Sequence, residues 1–120
     1  MRLYVGGRCQ GKTAYVAAQT GLDPVCCTPA EAMGAPAINC LHLTLRQVVE
    51  EGGTGEAFAK ALLAHNPGAV VVCDEIGLGV VPLDPFERRW REETGRALCL
   101  LAAAAERVER VICGLGQRLK

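Results

Sequence analysis

Short β-prone apolar runs alternate with helix signals along the whole chain. The runs are Arg2–Val5, Val25–Cys27, Ala37–Leu41, Ala69–Cys73 and Val108–Cys113. The segments between them carry helix starts and stops. A helix is expected from about Lys12 to Thr20, with Gly21 as its stop. Asp23-Pro24 makes a turn. Thr28, Pro29 and Glu31 then give a cap, a first-turn proline and a capping box, and Gly34 and Pro36 end that helix early. Thr44-Leu45-Arg46-Gln47 reads as a second capping box, opening a helix that Gly52-Gly53 closes. Thr54 caps the next, where Phe58, Ala61, Leu62 and His65 recur at helical spacing, with His65 as a C-terminal partner of the helix dipole. Asn66-Pro67-Gly68 is a turn. Asp84-Pro85-Phe86-Glu87 opens the longest helix with cap, proline and box together, and Phe86, Trp90, Ala97, Leu101 and Ala104 form its inward stripe. Val70-Val71-Val72-Cys73 lacks polar alternation, the pattern of a strand buried on both faces of a parallel sheet. Strand and helix in regular alternation predict an α/β three-layer sandwich with a mostly parallel central sheet.

Composition narrows this only a little. The chain has 120 residues, half of them apolar, which suits one domain, residues 1–120, around one core. Net charge is zero and only 4% of residues are aromatic. Neither the basic footprint nor the stacking platform of a nucleic-acid binder is present, so no nucleic-acid partner is expected. The longest apolar run, Ala97 to Ala105, has nine residues, too few for a membrane span. Gly6 interrupts the N-terminal apolar run before a secretory core can form, so a cytoplasmic protein is expected. The seven cysteines include no C-x-x-C pair, and most lie in apolar runs as small buried hydrophobes. Cys9 sits instead in a glycine-rich loop beside Lys12, as a small filler or as a thiol activated by its setting.

That loop carries the chemistry. Gly6-Gly7-Arg8-Cys9-Gln10-Gly11-Lys12-Thr13 fits G-x-x-x-x-G-K-[ST], the phosphate-binding P-loop, between a strand and a helix. Glycine lets backbone N–H groups turn inward around a polyphosphate. The helix that follows presents its N-terminal dipole to the anion. Lys12 supplies positive charge for the β- and γ-phosphates, and the Thr13 hydroxyl can ligate Mg²⁺. Asp74-Glu75 ends the apolar strand as the second half of a P-loop NTPase site does: one carboxylate anchors the Mg²⁺ shell, the other accepts a proton or orients a nucleophile. Ligand should sit beyond the carboxyl ends of the strands. Ile76–Leu83 is too apolar for a casual connection; it lines a pocket or fills a subunit contact. Arg88, Arg89 and Arg91 form a solvated face, from which one arginine can reach a phosphate.

Asp74-Glu75-Ile76-Gly77-Leu78-Gly79-Val80-Val81-Pro82 resembles the N-E-V-G-x-G-I-V-P motif of the adenosylcobinamide kinase/adenosylcobinamide-phosphate guanylyltransferase family of cobalamin biosynthesis. The family's arginine-containing helix, G-R step, alanine-rich stretch and final strand are similar to Arg89-Trp90-Arg91, Gly95-Arg96, Ala102–Glu106 and Val111–Gly114, with Lys120 at the end. Its G-G-x-R-S-G-K-S loop is matched at Gly6, Gly7, Gly11, Lys12 and Thr13. Departures accompany the match. Cys9 and Gln10 replace Arg-Ser, Asn39 stands where an acidic residue precedes cysteine, Leu98-Cys99 replace Asn-Gln, and Asp74 replaces the motif's asparagine. Only Pro29–Pro36 fills the segment that in the family bears the guanylylated histidine. His42 lies elsewhere and does not match it.

The resemblance implies two reactions: phosphorylation of adenosylcobinamide by ATP or GTP, and GMP transfer from GTP through a histidine phosphoramidate. Without the matching histidine segment the second is expected to be absent. On this reading Gly6 to Thr13 bind the nucleotide, Lys12 stabilises the transferring phosphate, Thr13 and Asp74 hold Mg²⁺, and Glu75 is the candidate base. Two alternatives are a non-catalytic nucleotide-binding paralogue and a kinase of another small alcohol. The family also implies a homo-oligomer, a trimer.

Overall fold

Apolar residues at successive strand positions, which point to opposite faces, explain how one sheet is covered on two sides. In the computed structural model, which describes residues 1–120, strands β1 (Arg2–Gly6), β2 (Val25–Cys26), β3 (Ala37–Asn39), β4 (Val70–Asp74), β5 (Arg107–Ile112) and β6 (Leu115–Arg118) form a single sheet. Its order is β2-β3-β4-β1-β5-β6. All pairings are parallel except β5 with β6. Leu3, Ile38, Val71 and Val108 face the larger core with Leu41, Leu45, Phe58, Leu62, Ala97 and Leu101. Those partners come from helices α3 (Leu41–Glu50), α4 (Gly55–His65) and α5 (Pro85–Ala104). Tyr4, Ala37, Val70, Val72 and Val111 face the other side, where Val16 of α1 (Lys12–Thr20) packs on them. A short helix, α2 (Pro29–Ala32), follows β2. The result is an α/β three-layer sandwich, as its sequence pattern predicts.

Several boundaries follow their local chemistry closely. Helix α1 spans Lys12–Thr20, and left-handed Gly21 closes it by donating its N–H to the Ala17 carbonyl. Thr28 and Glu31 make a complete capping box for α2. The Thr54 hydroxyl accepts the Ala57 N–H at the start of α4, and His65 Nδ1 lies 2.8 Å from the Ala61 carbonyl at its end.

Other expectations fail for physical reasons. The third strand stops at Asn39, because Cys40 turns into the left-handed region, φ 52°, and α3 starts at Leu41. Thr44 is therefore no cap. It is buried inside the helix, and its hydroxyl donates to the Cys27 carbonyl at 2.8 Å. Glu87 completes no capping box at α5 either, since both its oxygens accept from Arg46. Asp84 alone caps that helix, accepting the Phe86 N–H. The inward stripe of α5 passes through Ala97 and Leu101, but Ala104 at its end is exposed and Ala105, the residue after the helix, is buried instead. Of the seven cysteines only Cys73 is buried; Cys27 and Cys40 are half-buried and the rest exposed. Strand β6 was hidden in a polar, glycine-containing tail. It forms because Cys113 and Gly114, both at positive φ, make a two-residue hairpin turn of the kind whose twist suits paired strands.

Candidate functional site

Both sequence motifs emerge at the carboxyl edge of adjacent central strands. β1 pairs with β4 in register Gly6↔Asp74, and the Glu75 N–H continues the ladder to the Gly6 carbonyl at 2.9 Å. The phosphate loop and the acidic pair are thus locked together by backbone. Gly6 has no room for a side chain: a Cβ there would strike the Val111 carbonyl oxygen. Cys9 and Gly11 both adopt positive φ, 59° and 81°, which turns the loop back towards α1. Gln10 fastens it to the hairpin. Its carbonyl accepts the Gly114 N–H at 2.8 Å, and its side-chain oxygen accepts the Cys113 N–H at 2.9 Å.

Lys12 opens α1 and is only 7% exposed. Its ammonium donates to the Gly7 carbonyl at 2.6 Å and lies 2.7 Å from Asp74 Oδ1. The Thr13 hydroxyl accepts from Asn39 Nδ2 at 3.3 Å, and Asn39 Oδ1 in turn accepts the Cys40 N–H. These groups surround a cleft of about 360 Å³, with Cys9, Gln10 and Cys40 on its wall. Arg8 lies at a neighbouring cleft of about 420 Å³, lined also by Cys40, His42, Leu43, Asp74, Glu75, Ile76 and Trp90. Asp74 and Cys40 form the partition between the two clefts.

His42 is the site residue that sequence reasoning missed. It is 7% exposed in the first turn of α3. Its Nδ1 accepts the Asp74 backbone N–H at 3.3 Å, and Nε2 lies 3.7 Å from Asp74 Oδ2. The Trp90 indole N–H holds the His42 carbonyl at 2.7 Å. Burial pushes the imidazole below its ordinary range, and Lys12 and Arg8 add to this against the pull of Asp74. With Nδ1 accepting, the neutral ring carries its proton on Nε2, facing Asp74. A lone histidine in an apolar stretch gave no sign of this, because only the turn at Cys40 aims it at β4.

Several nearby charges are tied to structure. Glu75 Oε2 accepts from Arg110 Nε and Nη2, at 3.2 and 3.1 Å. The Arg46 guanidinium stacks on Phe86 and Trp90, 5.0 and 4.6 Å from the ring centroids. Arg91 donates to the Val80 and Leu78 carbonyls and so braces the apolar 76–83 loop instead of reaching the phosphate cleft. Leu78, Val80, Val81 and Leu83 in that loop are exposed. Burial, with the Cys26 thiol next in effect, pushes the Cys40 thiol up to about 11. No helix is long and apolar enough to cross a membrane.

Thr13 and Asp74 offer hard oxygen donors on one cleft, and no group of three or more His, Cys, Asp or Glu forms a metal cage. This donor set fits Mg²⁺, which is held by one or two protein oxygens together with phosphates and water.

Comparison with known proteins finds relatives of this chain. The family model described as cobinamide kinase / cobinamide phosphate guanyltransferase matches residues 22–119. The bifunctional adenosylcobalamin biosynthesis protein CobU of Salmonella typhimurium is 41% identical over 51 residues, covering 42% of this chain and 28% of that protein. CobU of Escherichia coli matches with the same figures. The bifunctional adenosylcobalamin biosynthesis protein CobP of Pseudomonas aeruginosa is 35% identical over 98 residues, covering 76% of this chain and 56% of that protein. The chain thus spans about half, or less, of the length of these curated relatives. The family match begins after the phosphate loop, so Gly6–Thr13 rest on their own pattern and geometry. With the matched region taking in β4, the acidic pair, α5 and β5, the chain belongs to the cobinamide kinase / cobinamide phosphate guanyltransferase family.

Proposed function

We propose that the chain is a kinase that phosphorylates adenosylcobinamide from ATP or GTP and lacks the guanylyl-transfer activity. One observation carries this reading. Lys12 meets Asp74 at 2.7 Å in the cleft under the phosphate loop, and Asp74 also borders the cleft beside the acidic pair. A nucleotide in the first and a hydroxyl in the second would meet across Asp74. Phosphoryl transfer asks mainly for such positioning and charge neutralisation.

Lys12 then trades its contact with the Gly7 carbonyl for phosphate oxygens. Thr13 and Asp74 would hold Mg²⁺, which neutralises charge on the β- and γ-phosphates. Glu75 is the base that takes the acceptor's proton. Arg110 fixes one of its oxygens and leaves the other for the hydroxyl. The cleft of about 420 Å³ suits the hydroxyl-bearing arm of the substrate, with the bulky ring outside. The loss of guanylyl transfer is supported by the sequence from Pro29 to Pro36, which holds no histidine. His42 does not replace it, since it is buried with Nδ1 bonded to the Asp74 N–H.

The test is to incubate the protein with Mg²⁺, ATP or GTP and adenosylcobinamide, and to identify corrinoid products by mass spectrometry. A phosphate adduct is expected. A GDP-linked product would show that guanylyl transfer survives. Nucleotide binding with unchanged corrinoid would favour a regulatory paralogue or another alcohol.

A further inference from the structure

We propose that Cys26 and Cys40 are an oxidisable pair whose disulfide weakens nucleotide binding. Cys26 ends β2, and its Cα pairs with that of Asn39 across the parallel ladder. Cys40 is the next residue and turns out of β3. Adjacent strands lie about 4.8 Å apart and consecutive Cα atoms about 3.8 Å apart, so the Cα of Cys40 stands roughly 6 Å from that of Cys26, within the ~4.4–6.8 Å that a disulfide spans. The Cys26 thiol is near enough to be one of the influences that raise the Cys40 pKa, after burial. Cys26 is exposed and open to an oxidant, whereas Cys40 is half-buried in the wall of both clefts.

The chemistry balances with a low-molecular-weight disulfide such as glutathione disulfide. The Cys26 thiolate attacks one of its sulfurs, forming a mixed disulfide and releasing one glutathione thiolate, which takes up the proton that Cys26 lost. The Cys40 thiol gives up its proton as its sulfur attacks the Cys26 sulfur, and the second glutathione leaves with that proton. Two protein thiols are oxidised and one external disulfide is reduced.

The link to function is a short relay. The Cys40 N–H holds Asn39 Oδ1 at 2.9 Å, and Asn39 Nδ2 holds the Thr13 hydroxyl at 3.3 Å. Forming a sulfur–sulfur bond of about 2.05 Å draws Cys40 towards β2. The Asn39 amide moves with it, away from Thr13, and the shared wall of the clefts shifts. Reduction restores both. The affinity effect rests on the nucleotide-binding reading above; the disulfide itself does not.

The experiment treats the full chain with glutathione disulfide, blocks free thiols, and maps the peptides by mass spectrometry. Affinity for a fluorescent ATP or GTP analogue with Mg²⁺ is measured before treatment, after it, and after dithiothreitol. A Cys26–Cys40 cross-link is expected. Affinity should fall about tenfold, the scale of one lost hydrogen bond, and recover on reduction. Cys26→Ser should bind nucleotide as the reduced protein does and ignore the oxidant. A mixed disulfide that persists at Cys26, or a cross-link elsewhere, would overturn the pair. A Cys26–Cys40 cross-link with unchanged affinity would overturn its effect on the site. Failure of the reduced protein to bind nucleotide would overturn the nucleotide reading and the effect together, while the peptide map would still decide the pair.

Discussion

Lys12 Nζ lies 2.7 Å from Asp74 Oδ1, so one mobile cation joins the phosphate loop to the end of β4. The pair has two consequences. It neutralises Asp74 at a partly covered position, and on the proposed reading it holds the ammonium ready for a phosphate.

Lys12→Ala removes the cation and leaves Asp74 and the Gly7 carbonyl without their donor. A desolvated charge pair lost across an interface costs roughly 2–5 kcal/mol in binding, which is what the missing ammonium–phosphate contact would cost on the proposed reading. Nucleotide affinity should therefore fall by about thirtyfold or more, and turnover should vanish. Titration with a fluorescent nucleotide measures this, and circular dichroism checks that the fold persists. Unchanged affinity would remove Lys12 from the site.

His42 should make stability depend on pH in mildly acidic solution. Burial holds its folded pKa below the ordinary 6.5, so the unfolded chain binds the proton more readily. Stability is then full above 6.5 and is lost as pH falls below it, levelling out under the folded value. Thermal melts between about pH 7.5 and 5.5 should show this decline. His42→Asn keeps an acceptor for the Asp74 N–H and should flatten the curve. An unchanged slope in that variant would assign the decline to other groups.

Tyr15 supports a buried carboxylate away from the clefts. Its hydroxyl donates to Glu109 Oε1 at 2.7 Å, and Arg107 donates to Oε2 at 2.8 Å. Burial pushes the Glu109 carboxyl up, but these two donors outweigh it and leave the group below its ordinary 4.5. Its contribution is present above 4.5 and is lost as pH falls through the folded value. Tyr15→Phe should cost about 1.5–3 kcal/mol, as for a hydrogen bond to a charged group. The acid transition should also begin at higher pH. Urea melts at neutral pH and an acid titration would test the two effects separately.

Gly6→Ala places a methyl group against the Val111 carbonyl and within 3.3 Å of Lys12 Cδ. Relief requires β1 or β5 to move, at about 1–3 kcal/mol. The urea midpoint should drop with an unchanged slope. Nucleotide affinity should fall too, because Lys12 is displaced.

The layers of the fold were legible because turn chemistry and apolar runs agreed. Gly21 marked the end of α1, and the unalternating Val70–Val72 run marked a strand covered on both faces. Gly6–Thr13 and Asp74-Glu75 were legible as motifs, and register brought them together as strand ends. The rest depended on positions that local pattern does not encode. Cys40 adopts a left-handed conformation usually left to glycine or asparagine, and that single turn starts α3 early, removes Thr44 from its cap and aims His42 at Asp74. Glu87 left its expected box because Arg46, 41 residues earlier, offered a charged partner. The cysteines misled because short apolar runs at the ends of strands reach solvent, where Cys26 and Cys113 lie.

The attachment of Gln10 to the Cys113–Gly114 turn has a consequence for how the protein folds. The hydrogen bond from the Cys113 N–H to the Gln10 side chain closes a loop of 103 residues. Contacts of such high sequence separation carry a large closure entropy and are slow to form. A nascent chain that has made β1 and α1 has all the glycines of the phosphate loop but lacks the hairpin that shapes it. Competence to hold an anion should thus arrive late and with the rest of the sheet, which makes ligand binding a report on completed folding.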